Sequence, residues 1–428
     1  MLNARFHFVS TQNILGVVLL TLALVAVTMV NHFGIVPLKR LDVTGVGNDF
    51  SDFWTAARVI MLRESPYDMS ETSDYVIVQQ SAGQLGDAFH SPAFTTLVFL
   101  PLAWLPLPWA VVLWLTAMQV LLVASVALIL GTFRPQPSRR YLFSCIVLAL
   151  VFRYTFVSFM VGQKAALMLF LLVASVWAIR SGRNRLAGVL IAVSLIKPQV
   201  VFLASPVLLL GPPPWRNQAD RAAFRERLIG FCTALVILMA VTLALRPSWP
   251  IEWIGRAGGD FLADPSIDKA MPSLRGAMAV FLSEGVPQYL LVAAAAPFLL
   301  WLGWRWWTSD GKPYQESFLL SLAIAGNLIT APYTREYDYV LLLFPAMLSL
   351  SLLSRLRTPA SRFLQVVTII LLLLPYGIHP LTTRYGAGVE TAIPVLMLSL
   401  VLLTERLIQG RITSEVPGSR ASQRVAEG

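Results

Sequence analysis

Apolar residues gather into long runs along this chain, most plainly over residues 14–30, 109–130 and 228–245. Each run approaches the roughly 20 residues that cross a hydrocarbon core. Only helices and closed barrels satisfy their backbone polar groups in lipid, so the runs predict spanning helices. The first exceeds the apolar core of a signal peptide and has no small-x-small cleavage site after it, which predicts a retained helix. Two segments break the pattern. Residues 186–210 carry Lys197 and Pro198 at their middle, which predicts a broken, re-entrant pair of half-helices facing protein or water. Residues 91–105 are short and contain Pro92 and Pro101, which predicts a dipping segment. Between the first two runs, Phe50, Phe53, Trp54, Ala57, Ile60 and Met61 recur at helical spacing with Ser51, Asp52, Arg58 and Glu64 between them. That pattern predicts an amphipathic helix on the membrane surface.

Charge orients these elements. The short basic segments 134–140, 180–185, 216–227, 305–312, 355–362 and the tail after residue 405 belong on the cytoplasmic side by the positive-inside rule. The outer side then receives loop 32–90, the tight turn 161–164, the large loop 247–287, and the segments 330–338 and 379–390. The expected fold is an all-α polytopic membrane protein of about 10–12 transmembrane helices, including the broken pair, with amphipathic juxtamembrane helices in the outer loops. Both termini are expected in the cytoplasm. Residues 1–410 read as one integral membrane domain and 411–428 as a polar cytoplasmic tail.

Composition agrees, since 56% of the 428 residues are hydrophobic and 13% are charged, against about 25% charged in ordinary globular domains. The net charge of +10 lies mostly in the short loops and therefore reports topology; no nucleic-acid partner is expected. Cys145 and Cys232 both fall in apolar runs and suggest neither a disulfide framework nor a metal site.

Chemistry must come from polar residues where apolar ones would be cheaper. Asp49 and Asp52 lie three apart at a helix start and share one face. A carboxylate there can accept a proton from an acceptor hydroxyl, although from spacing alone helix capping is the stronger reading of both. The outer stretch from Thr330 to Tyr339 supplies Arg335 for a phosphate and Tyr333 and Tyr337 for stacking on a sugar or its lipid. An aromatic belt with an exposed Arg-Glu pair explains it equally well, whereas Asp338 at the mouth of the next span is harder to dismiss. Arg153, Gln163 in the turn 162–164, and Lys197 are candidates because ionisable and polar groups at membrane depth usually face a cavity or partner. Lys164 in the same turn is a candidate on the same ground, with snorkelling to an interface slightly favoured for it. His90 and His379 stand isolated. Asp260, Asp264 and Asp268 lie four apart and read as a solvated face. No phosphate-cradling glycine loop, nucleophile elbow or ATP-binding signature occurs.

In this order the motifs resemble glycosyltransferase family 87, a membrane mannosyltransferase-like family of the GT-C class. The resemblance rests on Gly47 to Ala57 (GNDFSDFWTAA), Pro66-Tyr67-Asp68, His90-Ser91-Pro92, the proline-rich stretch 100–108, Gly162-Gln163, Lys197-Pro198, and Pro332-Tyr333 through Tyr337-Asp338. It implies a polyprenyl-phosphate-linked sugar donor, a glycan or glycolipid acceptor, and an aspartate of the first outer loop as general base. On this sequence that aspartate is Asp49, with Asp52 and Asp338 secondary. Arg153, Gln163, Lys197, Tyr333, Arg335 and Tyr337 are then candidate donor contacts, and His90 and Tyr67 candidate acceptor-side residues. Relatives that use mannose often carry a histidine in the loop reading Pro332 to Tyr339 here; this chain has none, so the sugar stays open among mannose and other hexoses or pentoses.

The implied reaction is a single displacement with inversion, without a cofactor or metal, on the extracytoplasmic side of a bacterial inner membrane and among membrane lipids. Two alternatives remain: a secondary transporter with a re-entrant site at Lys197, and a non-catalytic scaffold.

Overall fold

The computed structural model describes residues 26–31, 48–70, 72–81, 89–134, 136–213, 217–256, 265–282, 286–309 and 314–415. Most of the expected first span, the loop residues 32–47, and Asp260 and Asp264 therefore lie outside the described residues, as does the tail beyond residue 415. Among the described residues every regular element is a helix. In chain order the helices used below are α1 (Asn48–Met61), α2 (Asp74–Ser81), α3 (Thr96–Ala103), α4 (Leu107–Phe133), α5 (Arg139–Val151), α6 (Arg153–Val161), α7 (Ala165–Arg180), α8 (Asn184–Ser194), α9 (Pro198–Val201) and α10 (Ala204–Leu210). They continue with α11 (Gln218–Leu245), α12 (Trp249–Arg256), α13 (Leu274–Ala279), α14 (Gln288–Trp307), α15 (Gln315–Thr330), α16 (Leu343–Leu353), α17 (Pro359–Tyr385) and α18 (Ala392–Glu415).

Six stretches among the described residues are long and apolar enough to cross a membrane: α4, α11, Tyr289–Trp307, Glu336–Leu353, α17 and Ala387–Arg411. The pair α5 and α6 makes a seventh if counted as one bent span. The chain is therefore a multi-pass membrane protein. The remaining apolar segments are short: Ala93–Ala103, Ala165–Arg180 and Asn184–Ser194. Residues 91–105 thus form a short helical segment, ended soon after Pro101, as their length and prolines require.

Glu336–Leu353 and α15 form the centre, with nearly every side chain buried, whereas α11 and α14 expose most of theirs. Large apolar side chains such as Val236, Ile237, Leu300 and Trp304 stand outward on those two helices, as a lipid-facing surface demands. Close approach of α8 and α11 depends on glycine: a Cβ on Gly188 would stand 2.0 Å from the Arg227 carbonyl oxygen, and one on Gly230 2.1 Å from that of Arg185. Such small-residue contacts replace the hydrophobic effect as the means of joining helices in lipid.

Three local features build the site. The helix α1 expected between the first two apolar runs is present, and the structure covers its polar side as well as its apolar one. Phe50, Phe53, Trp54, Val59 and Ile60 are buried, and so are Ser51, Asp52 and Thr55. Phe53 stacks on Phe99 of α3 with centroids 4.9 Å apart, and Phe99 meets Trp114 of α4 at 4.6 Å. The second feature is the bend between α5 and α6, 59° at Phe152, which turns Arg153 into the interior. Third, residues 184–210 are broken as the lysine and proline predict, into α8, α9 and α10. Lys197 precedes Pro198 at the first position of α9, where a missing N–H costs nothing. The freed backbone groups find side chains instead. Thr95 Oγ1 donates to the Ile196 carbonyl at 2.9 Å, Asn327 Nδ2 to that of Gln199 at 2.9 Å, and the Leu203 N–H to Asn327 Oδ1 at 3.0 Å.

Candidate functional site

A cavity of about 970 Å³ opens where α1, the turn 162–164, the break at Lys197 and the loop before Glu336 converge. Asp49, Asp52, His90, Arg153, Gln163, Lys197, Tyr333, Arg335 and Tyr337 all line it. Tyr67 and Asp338 stand behind its wall. The Tyr67 hydroxyl donates to the Ser91 carbonyl at 2.9 Å, and Asp338 is fully buried against Lys197.

The start of α1 carries both of its carboxylates on the cavity side, as three-residue spacing requires. Gln163 Nε2 donates to Asp49 Oδ2 at 2.5 Å, and Gln79 Nε2 of α2 donates to Asp52 Oδ1 at 2.9 Å. Gln163 can reach because α6 ends at Gly162 in the left-handed conformation, φ 76°, a geometry that glycine adopts without a Cβ penalty. Trp114 Nε1 fixes the same turn by donating to the Gly162 carbonyl at 2.8 Å.

Lys164 follows in that turn, and here the expectation from sequence is corrected. Its amine does not run out to an interface. The residue is 1% exposed, its Nζ donates to Ser91 Oγ at 2.7 Å, and it lies 4.1 Å from the centre of the Phe53 ring. Burial pushes the Lys164 amine well below its usual range, and the nearby Lys197 adds to that, while Asp338 and Asp49 oppose it.

The other cations are arranged differently. Lys197 is paired with Asp338 and sits 4.6 Å from the centre of the Tyr337 ring. Asp338 Oδ2 also accepts the Arg335 N–H at 3.0 Å and the Thr334 hydroxyl at 3.4 Å, so this carboxylate serves the wall. Arg153 Nη1 meets Glu336 at 2.7 Å and Glu390 at 3.4 Å, while its Nη2 is 2.8 Å from His379 Nδ1. The Arg335 Nε reaches the Tyr333 hydroxyl at 3.4 Å. Burial pushes the Tyr333 phenol up. His90 is held neutral, its pKa lowered to about 3 by burial and by Arg256 and Arg335.

The sequence singled out neither Arg256, Lys269 nor Glu336, and left His379 isolated, yet all four line the cavity. Asp268, read as part of a solvated face, is buried and paired with Arg275 at 2.6 Å. Their only signal was a charge beside an outer loop, which many surface residues share. Among the described residues six cationic side chains thus face the cavity, Arg153, Lys164, Lys197, Arg256, Lys269 and Arg335, against the carboxylates Asp49, Asp52 and Glu336. Such a chamber suits an anion, with a carboxylate beside it able to take a proton.

A sequence model of one protein family, described as glycosyltransferase family 87, matches residues 89–332, more than half of the chain. No curated protein matches it.

Proposed function

Because the chain belongs to glycosyltransferase family 87, we propose that this cavity transfers a sugar from a polyprenyl-phosphate donor to an acceptor hydroxyl with inversion, and that Asp49 is the general base. The observation that carries the proposal is the placement of Asp49 in the same chamber as an excess of cations. A lipid-linked sugar phosphate needs that pairing: positive charge for the phosphate and a carboxylate for the incoming hydroxyl.

The acceptor O–H gives its proton to Asp49 as its oxygen bonds to the anomeric carbon. The bond from that carbon to the phosphate oxygen breaks, and its electron pair leaves with polyprenyl phosphate. Gln163 fixes one oxygen of the Asp49 carboxylate, which keeps the base oriented, and the basic wall stabilises charge growing on the leaving group. Tyr333 and Tyr337 offer ring faces to the sugar or the first lipid units, with His90 and Tyr67 on the acceptor side. By the positive-inside rule the chamber opens outside the cytoplasm of a bacterial inner membrane, where membrane lipids deliver the donor and a glycan or glycolipid supplies the hydroxyl.

Asp49→Asn tests this directly, because Asn keeps an oxygen that can accept from Gln163 but cannot take the proton. Purified variant protein given a polyprenyl-phosphate sugar is expected to lose transfer by about 10²- to 10⁴-fold, with its unfolding temperature unchanged. Undiminished transfer would sink the proposal. A transporter site at Lys197 predicts the opposite ranking, with Asp49→Asn nearly silent and Lys197→Met inactive.

A further inference from the structure

The six cations that line the cavity among the described residues are not equivalent. Lys197 already has Asp338, and Arg153 is shared by Glu336, Glu390 and His379. Drawing either cation onto a ligand would strand a carboxylate that is fully buried, Asp338 in one case and Glu390 in the other. A buried charge robbed of its partner is strongly unfavourable.

Lys164 and Arg335 are placed otherwise. The Lys164 amine has the Ser91 hydroxyl and the face of Phe53, and the Arg335 side chain has the Tyr333 hydroxyl and ring. Among the described residues, no carboxylate forms an ion pair with either side chain. Both line the cavity with Asp49. We infer that Lys164 and Arg335, together with the Ser91 hydroxyl, hold the phosphate of the ligand, while Lys197 and Arg153 are structural cations of the wall.

This rests on the reading under Proposed function and deepens it. Three further facts support the assignment. Lys164 immediately precedes the 16-residue helix α7, where the helix dipole disfavours a cation and favours an anion beside it. Burial and the facing Lys197 both penalise the Lys164 charge, and a bound anion relieves both. A glycosyl phosphodiester carries one negative charge and the phosphate monoester released from it nearly two, so two cations that no carboxylate ion-pairs among the described residues match the product better than the substrate. That difference is the form that transition-state stabilisation takes.

The chemistry recognised is a phosphate group, whether lipid-linked or free. The test uses the full chain in detergent or nanodiscs, titrated with polyprenyl phosphate and, separately, with inorganic phosphate. Lys164→Met and Arg335→Met are each expected to weaken binding of polyprenyl phosphate by about tenfold or more, as loss of a charged hydrogen-bonding partner does. Lys164→Arg is expected to retain most of it, and Gly303→Ala, away from the cavity with nothing within 4 Å of the added methyl group, to bind as the unaltered protein does. Folding is followed separately: Met replaces a desolvated amine, so Lys164→Met is expected to unfold no lower than the unaltered protein. Unchanged binding by both Met variants overturns the assignment, and so does loss confined to Lys197→Met. If the unaltered protein binds neither phosphate, the functional reading falls together with the assignment. If inorganic phosphate binds as tightly as the lipid and loses affinity in the same variants, the phosphate site stands and the lipid-linked donor is what fails.

Discussion

Lys197 and Asp338 show what a charge inside this protein requires. Their side chains are 5% and 0% exposed, and two opposite charges at that depth are tolerable only together. Replacing Asp338 by Ala is therefore expected to destabilise the protein by about 3–5 kcal/mol, since it leaves a buried lysine alone. The double variant Lys197→Met with Asp338→Leu is expected to recover most of that loss, because an apolar pair avoids desolvation. Thermal unfolding in detergent measures both, and an unchanged melting temperature for Asp338→Ala would contradict the structural role given to the pair. At this scale the sequence was half legible. Asp49, Arg153 and Lys197 stand out because polar groups interrupt apolar runs. Their partners do not, for Lys197 and Asp338 are 141 residues apart, and spacing along a chain says nothing of such distances. Lys164 misleads for the same reason: a lysine at a helix end usually snorkels, and only the fold brings Ser91 and Phe53 around it.

Among the elements, α1 was legible as a helix because helical periodicity and an acidic first turn coincide there, but the burial of Ser51, Asp52 and Thr55 on its polar side was not. The break at Lys197 was legible from a proline beside a lysine. The 59° bend before Arg153 was not, since Val151, Phe152 and Tyr154 offer neither proline nor glycine to mark it. The contact between α8 and α11 was also hidden, because a glycine in an apolar run reads as lipid-facing as readily as packed. Gly188→Ala puts a methyl group against the backbone of α11 and is expected to cost about 1–3 kcal/mol by forcing the helices apart. Gly131→Ala in α4 and Gly303→Ala in α14 meet nothing within 4 Å and serve as controls that leave stability unchanged or slightly higher. Equal unfolding temperatures for all three variants would remove the case for close packing at Gly188.

For the whole molecule, apolar runs and basic loops fixed the class of protein, but the number of full crossings depended on three dimensions. Several apolar segments prove short or bent, and these are the ones that carry the site: α3 beneath α1, α6 and α7 on either side of Gly162, and α8 to α10 around Lys197. Sidedness is a separate proposal, drawn from charge. Ser181 lies in the basic loop 180–185 and Ser70 in the loop proposed to lie on the outer side, and both are exposed. In a chain with Cys145 and Cys232 replaced by Ala, Ser181→Cys is expected to react with an impermeant thiol reagent only from the cytoplasmic face, and Ser70→Cys only from the opposite face. Labelling of both from one side would overturn the proposed orientation.

The broken segment 184–210 also has a consequence for how the protein is made. The side chain of Asn327, which accepts the Leu203 N–H and donates to the Gln199 carbonyl, is synthesised more than 120 residues after the groups it satisfies. Until α15 emerges, the backbone around Gln199 and Leu203 lacks the partner it has in the finished fold, so the segment has to stay near water or near the insertion machinery. It reaches its final state only when a later helix arrives beside it, and for this part of the molecule the order of assembly runs against the order of translation.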